Sequence, residues 1–147
     1  MWLGSNLFGS EPLAKELGYL YGATTFNPEW DQVYRAVLQM DGDRLNEMAL
    51  DFPEKGVIMV GGGNNGRYVV IYFPSDKSRK PSLTLSDLSL TGPDVELTVQ
   101  IPGGYPARIC VKLPLVLKVL EHFFHTGEIP TDVRWEIDNT GVEVSLS

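Results

Sequence analysis

The most recognisable chemical spacing in the chain is Gly61-Gly62-Gly63-Asn64-Asn65-Gly66, which matches the dinucleotide-binding pattern G-x-G-x-x-G letter for letter. That pattern works by seating a pyrophosphate on the N-terminus of the helix that follows it. Here the following run is Arg67-Tyr68-Val69-Val70-Ile71-Tyr72-Phe73, β-branched and aromatic, with no helical period. Asn65-Gly66 is also a preferred pair for a tight hairpin turn. The segment therefore reads as a hairpin, and no cofactor is expected.

His122 and His125 stand three apart on a predicted helix, beside Glu121. Zinc needs three or four convergent donors, the chain has no further histidine, and its one cysteine, Cys110, falls on a different element. The three residues read as a solvated helix face, and no metal is expected. No G-x-S-x-G elbow is present, and Cys110 has no histidine near it in sequence. A single cysteine also rules out the paired cysteines of the zinc-deaminase signature. Acids are plentiful, but spacing on separate strands cannot pair them in a cleft. No catalytic residue is assigned, and the chain is expected not to be an enzyme.

These residues ride on elements with clear periodicity. Residues 1–27 are weakly patterned, with a short helix expected near Leu13–Leu17, and Trp2, Leu3, Leu7 and Phe8 are expected to be exposed. Residues 28–147 form the predicted domain. Asn27-Pro28 reads as a helix start, a capping residue before proline at the first helical position. Trp30, Val33, Tyr34, Val37 and Leu38 make one apolar face, and Asp41-Gly42-Asp43 closes the helix. Strands are expected from Met48, at Val57–Val60, Arg67–Phe73 and Leu83–Leu85. In Val95–Ile101, Val95, Leu97, Val99 and Ile101 alternate inward, Pro102 to Pro106 turns the chain, and Ala107–Leu113 returns with Arg108 and Lys112 outward. A helix over Pro114–His125 follows, ended by Gly127. Val133, Trp135 and Ile137 alternate inward with Arg134, Glu136 and Asp138 outward, then Asn139-Thr140-Gly141 turns into a strand with Val142, Val144 and Leu146 inward. Trp135 fits the core, with a partner anchor as the other reading. The expected fold class is α+β, an antiparallel β-sheet with helices packed on one face, in a single domain.

Charge narrows the partners. Among 147 residues, 19 acids face 12 lysines and arginines, a net charge of -7. That excess disfavours nucleic acid, whose binders neutralise phosphates with Lys and Arg, and it disfavours an anionic membrane. Basic proteins are the complementary partners, with plain solubility as the other reading. Residues 28–54 hold seven acids against Arg35 and Arg44; residues 121–147 hold six against Arg134; residues 55–80 are basic. The two acidic segments would merge into one face if the fold makes them neighbours. No stretch of about 18 apolar residues is present, and the first residues lack a secretory pattern, so a cytoplasmic address is the expectation.

Three landmarks occur in order: Val60-Gly61-Gly62-Gly63 with Gly66-Arg67-Tyr68-Val69-Val70, then Gly103-Gly104-Tyr105-Pro106-Ala107-Arg108, then Phe123-Phe124-x-Thr126-Gly127 with Val133-Arg134-Trp135-Glu136. Together they make residues 28–138 resemble the first numbered immunity-protein family of bacterial polymorphic toxin systems, an α+β family with a characteristic C-terminal tryptophan, here matched by Trp135. The resemblance implies an antitoxin that binds a cognate toxin domain, often a nucleic-acid deaminase, and blocks it from substrate. The contacts expected from the sequence are the loop residues Asn64 and Asn65, the aromatic Tyr105 and the outward carboxylates Glu136 and Asp138, followed by Glu47 and Asp51. The competing readings are a small ligand-binding or enzymatic α+β domain, and a structural adaptor unrelated to toxins.

Overall fold

A computed structural model describes residues 1–7, 24–137 and 141–146. The expected helix near Leu13–Leu17, together with Phe8, Asp138 and the Asn139-Thr140 turn, lies outside the described residues. The elements are β1 (Trp2–Leu7), β2 (Thr24–Phe26), α1 (Trp30–Leu38), β3 (Leu45–Phe52), β4 (Gly56–Gly62), β5 (Arg67–Pro74), β6 (Leu83–Ser86), β7 (Val95–Val99), β8 (Ile101–Tyr105), β9 (Val111–Lys112), α2 (Leu113–Thr126), β10 (Arg134–Ile137) and β11 (Glu143–Val144).

One antiparallel sheet carries the fold in the order β11-β10-β6-β5-β4-β3-β1-β2, with β9 paired to β5. Register explains its two faces, because cross-strand partners share a side. Leu50, Ile58, Tyr72 and Leu83 form one row on the inner face. Ala49, Met59, Ile71, Thr84 and Glu136 form a row on the outer face. The inner face meets both helices in one core, where Val33, Ala36 and Val37 of α1 and Val116, Val119, Leu120 and Phe123 of α2 join Met48, Leu50, Ile58, Val60, Val70 and Trp135. This is the α+β arrangement that the periodicity predicts. The weakly patterned N-terminal stretch supplies β1 and β2, and Leu3 is buried rather than exposed, because β1 lies between β3 and β2.

Several local expectations are corrected. Strand β3 begins at Leu45, three residues before the predicted change of pattern. Helix α1 begins at Trp30 with Glu29 as its cap; the Glu29 amide donates to Gln32 Oε1 at 2.9 Å. Asn27 instead ties down the start of the chain, its amide donating to the Met1 carbonyl at 2.7 Å. Tyr34 and Leu38, expected on the buried face, are exposed, since Val33, Ala36 and Val37 already fill the contact with the sheet. Val142, expected inward, is exposed, whereas Val144 and Leu146 pack on the core.

The largest correction concerns residues 95–113. The chain reverses at Gln100 (φ +66°), and the Pro102-Gly103-Gly104 stretch is strand β8, paired with β7 in a separate two-stranded sheet. Ile101 is thereby left at the tip, 73% exposed. Residues Ala107–Ile109 form a 3-10 turn, so only Val111 and Lys112 of the expected return strand join the main sheet. Helix α2 then runs to Gly127, whose φ of +73° and amide bond to the Phe123 carbonyl at 2.8 Å make the predicted left-handed end.

Candidate functional site

The predicted β4–β5 hairpin is present, closed by a turn over Asn64–Gly66 rather than a phosphate-binding helix. Asn64 is occupied inside the molecule. Its Oδ1 accepts the Thr98 amide at 2.9 Å, and its side chain fills the space over Gly42, where a Cβ would lie 2.1 Å from it. Asn46 accepts the Gln100 amide at 3.1 Å in the same way. Two asparagines thus hold the Thr98 amide of β7 and the Gln100 amide at the hairpin tip. Pro102 stands opposite Thr98, so antiparallel parity turns its nitrogen outward as well, and its missing N–H costs no ladder bond. The hairpin lies across the outer face, with Val99 directly above Gly61. Leu97 forms a second small core with Val69 and Cys110, against which Val95, Ile71 and Tyr105 pack.

The other expected contacts scatter. Asn65 is exposed at the turn. Glu47 is half-buried on the outer face and accepts from Gln100 Nε2 at 2.8 Å. Asp51 shares that face, two pleats along β3. Tyr105 packs against the second core. Glu136 is not outward in any useful sense: it is 2% exposed. Strand alternation does turn it away from the helices, but the 3-10 turn carrying Arg108 covers that side. Arg108, expected to point outward, donates from Nε and Nη2 to both Glu136 oxygens at 2.9 to 3.2 Å. Arg134 also bonds Glu136, and it reaches Ser86 Oγ at 2.7 Å.

Burial alone would push the Glu136 carboxyl up, but the hydrogen bonds from Arg108, Arg134 and Ser86 outweigh it and hold the group below the usual carboxylate range. The same contact raises the Arg108 guanidinium. This pair forms one wall of a cleft of about 460 Å³, shared with Ile71, Thr84 and Tyr105. Its two charged groups are turned toward each other, as in a structural ion pair.

Cys110 is buried, and burial pushes its thiol up to about 11 despite the nearby Arg67. Arg67 spends its guanidinium on the carbonyls of Ala107 and Cys110, clipping the 3-10 turn to β5. His122 and His125 line a broad open groove beside α2, with Lys118 bonded to Asp132 at 2.7 Å. Among the described residues, no group of three or more His, Cys, Asp or Glu is placed to hold a metal. No helix there is long and apolar enough to cross a membrane.

The helix layer is where the two acidic segments meet. Trp30 packs on Phe124 and His125, with ring centroids 5.6 and 6.4 Å apart, which brings the start of α1 to the end of α2. Trp30, Tyr34 and Leu38 recur at four-residue spacing along α1, with Tyr34 39% and Leu38 44% exposed. Glu29 caps α1, Asp31 lies in its first turn, Asp41 and Asp43 follow it in sequence, and Glu121 lies on α2 three residues before Phe124; all five are exposed. Arg35 is spent on Asp31 at 2.9 Å. Sequence reasoning assigned Tyr34 and Leu38 to the core; the breadth of the apolar face, five residues over a nine-residue helix, was the signal that some must emerge.

An acidic single-domain α+β protein, whose buried charges are neutralised internally and whose apolar surplus lies on a charged surface, has the build of a protein-binding module. The chain matches the immunity protein Imm1 family over residues 22–136 and belongs to it. Comparison with curated proteins and with solved structures gives no match.

Proposed function

We propose that this chain neutralises a cognate bacterial toxin domain by occluding its surface, performing no chemistry itself, and that it acts in the cytoplasm. The observation that carries this reading is membership of an immunity-protein family over most of the chain. The charge supports a basic partner: the net charge is -7, and opposite charge accelerates and orients docking. Toxins that act on nucleic acid need a basic surface for their substrate, so a nucleic-acid-acting toxin, of the deaminase class that the family resemblance implies, is the partner that best fits. The acids would occupy the surface that the substrate's phosphates otherwise use.

The decisive experiment mixes the purified chain with a candidate toxin domain, sought among the genes beside its own. A complex with nanomolar Kd that weakens as salt rises, and in which toxin activity is abolished, is the expected result. Full toxin activity in a saturated complex would overturn neutralisation by coverage.

A further inference from the structure

We infer that the docking surface is the helix layer, with Tyr34 and Leu38 of α1 as its apolar centre, and that its occupant is a basic face of the toxin domain. The inference rests on the antitoxin reading above and adds the location. Helix α1 shows a two-sided pattern. Its inward residues Val33, Ala36 and Val37 are completely buried, so the fold does not need Tyr34 or Leu38 for burial. Keeping an aromatic and a leucine in water at adjacent turns forgoes hydrophobic free energy that burial against a partner would recover. Trp30 extends the same stripe and is braced by Phe124 and His125, which fixes its ring before any partner arrives. Pre-set aromatic anchors reduce the ordering cost of association.

Charge selects the occupant. Arg35 and Lys118 are already paired with Asp31 and Asp132. Glu29 at the start of α1, Asp41 and Asp43 beyond its end, and Glu121 on α2 are exposed, with Arg44 the exposed cation next to Asp43 in sequence. An apolar centre with an acidic rim is the counterpart of a surface rich in Arg and Lys. On the rival surface, the outer sheet face, the polar groups beside the hairpin and the 3-10 turn are engaged within the molecule. Glu47 is bonded to Gln100, Asn64 to Thr98 and Glu136 to Arg108 and Arg134, while Val99 sits down on Gly61. That face holds the hairpin.

The test uses the full chain and the toxin domain found to bind it in the experiment above. The double variant Tyr34→Ala/Leu38→Ala should weaken binding by about 100-fold or more, as loss of a central pair of contacts does. Glu29→Lys/Glu121→Lys should slow association by about tenfold and flatten its salt dependence. Phe73→Ser, an exposed outer-face change, should leave Kd within about threefold, the ordinary size of a neutral surface substitution. Hydrogen exchange on the unaltered complex gives a readout independent of any variant's folding, with new protection expected on α1 and α2. Unchanged affinity in the helix variants, or protection confined to β3–β5 and the β7–β8 hairpin, overturns the location while leaving the antitoxin reading intact. Absence of any binding by the unaltered chain defeats that reading, and the location with it.

Discussion

Arg108 grips Glu136 with two nitrogens on both carboxylate oxygens, joining the 3-10 turn after β8 to strand β10 through a group almost wholly withdrawn from water. The pair spans 28 positions of sequence and fixes the side of the sheet opposite the helices.

Glu136→Gln should destabilise the fold by roughly 1–3 kcal/mol. This is less than the loss for a fully enclosed pair, because Arg108 keeps part of its guanidinium in solvent. The native environment holds the carboxyl below its ordinary range. Its contribution is therefore complete above the unfolded-state pKa and is lost as pH falls through the lower folded-state value. Urea titrations across the acid limb should show stability declining with pH in the unaltered chain and declining less in Glu136→Gln. Identical acid limbs would remove Glu136 from this role.

Gly61 carries Val99 on its bare backbone, and an added Cβ would meet both Val99 methyls at 2.7 Å. Gly61→Ala should cost about 1–3 kcal/mol by overpacking and should loosen the β7–β8 hairpin before the main sheet. Pairing it with Val99→Ala should restore more than half of the loss. A double-mutant cycle that shows simple additivity would separate the two residues.

Trp135 is fully buried and donates its indole N–H to the Pro130 carbonyl at 3.1 Å. Trp135→Phe leaves that carbonyl without its donor, at about 1–3 kcal/mol, and Trp135→Ala should cost about 3–5 kcal/mol. Thermal denaturation of both variants checks the order. Equal losses would mean that burial of the ring adds nothing beyond the indole hydrogen bond.

Cys110 has its thiol pushed up to about 11, chiefly by burial. At pH 8 a thiol reagent should therefore label the native chain only at the rate at which it opens, and label the denatured chain at once. Rapid native labelling would place the sulfur in contact with solvent.

Much of this architecture was legible from periodicity. Helices α1 and α2, the β4–β5 hairpin and the burial of Trp135 follow from spacing. The misreadings have physical causes. Pro102-Gly103-Gly104 looks like a turn, yet proline is tolerated where its nitrogen points to the strand's open side. Glu136 alternates correctly but lies on a sheet covered on both faces at that point, a condition that no single strand reveals. Asn64 looks like a free loop residue, and only the fold shows that Thr98 and Gly42 claim it. The landmarks that carried the family resemblance do not point to contact residues. Gly61, Arg67, Arg108, Gly127 and Trp135 each close a turn, seat a strand or satisfy a carbonyl or carboxylate. They report the scaffold and say little of the partner.

Helix α1 has one consequence for how such a chain changes over generations. Its inward residues Val33, Ala36 and Val37 hold the scaffold, while Tyr34 and Leu38 leave much of their surface in water. Substitutions at those two positions disturb the architecture less than any change at the inward three, so one helical flank can be rewritten without the chain having to rediscover how to fold.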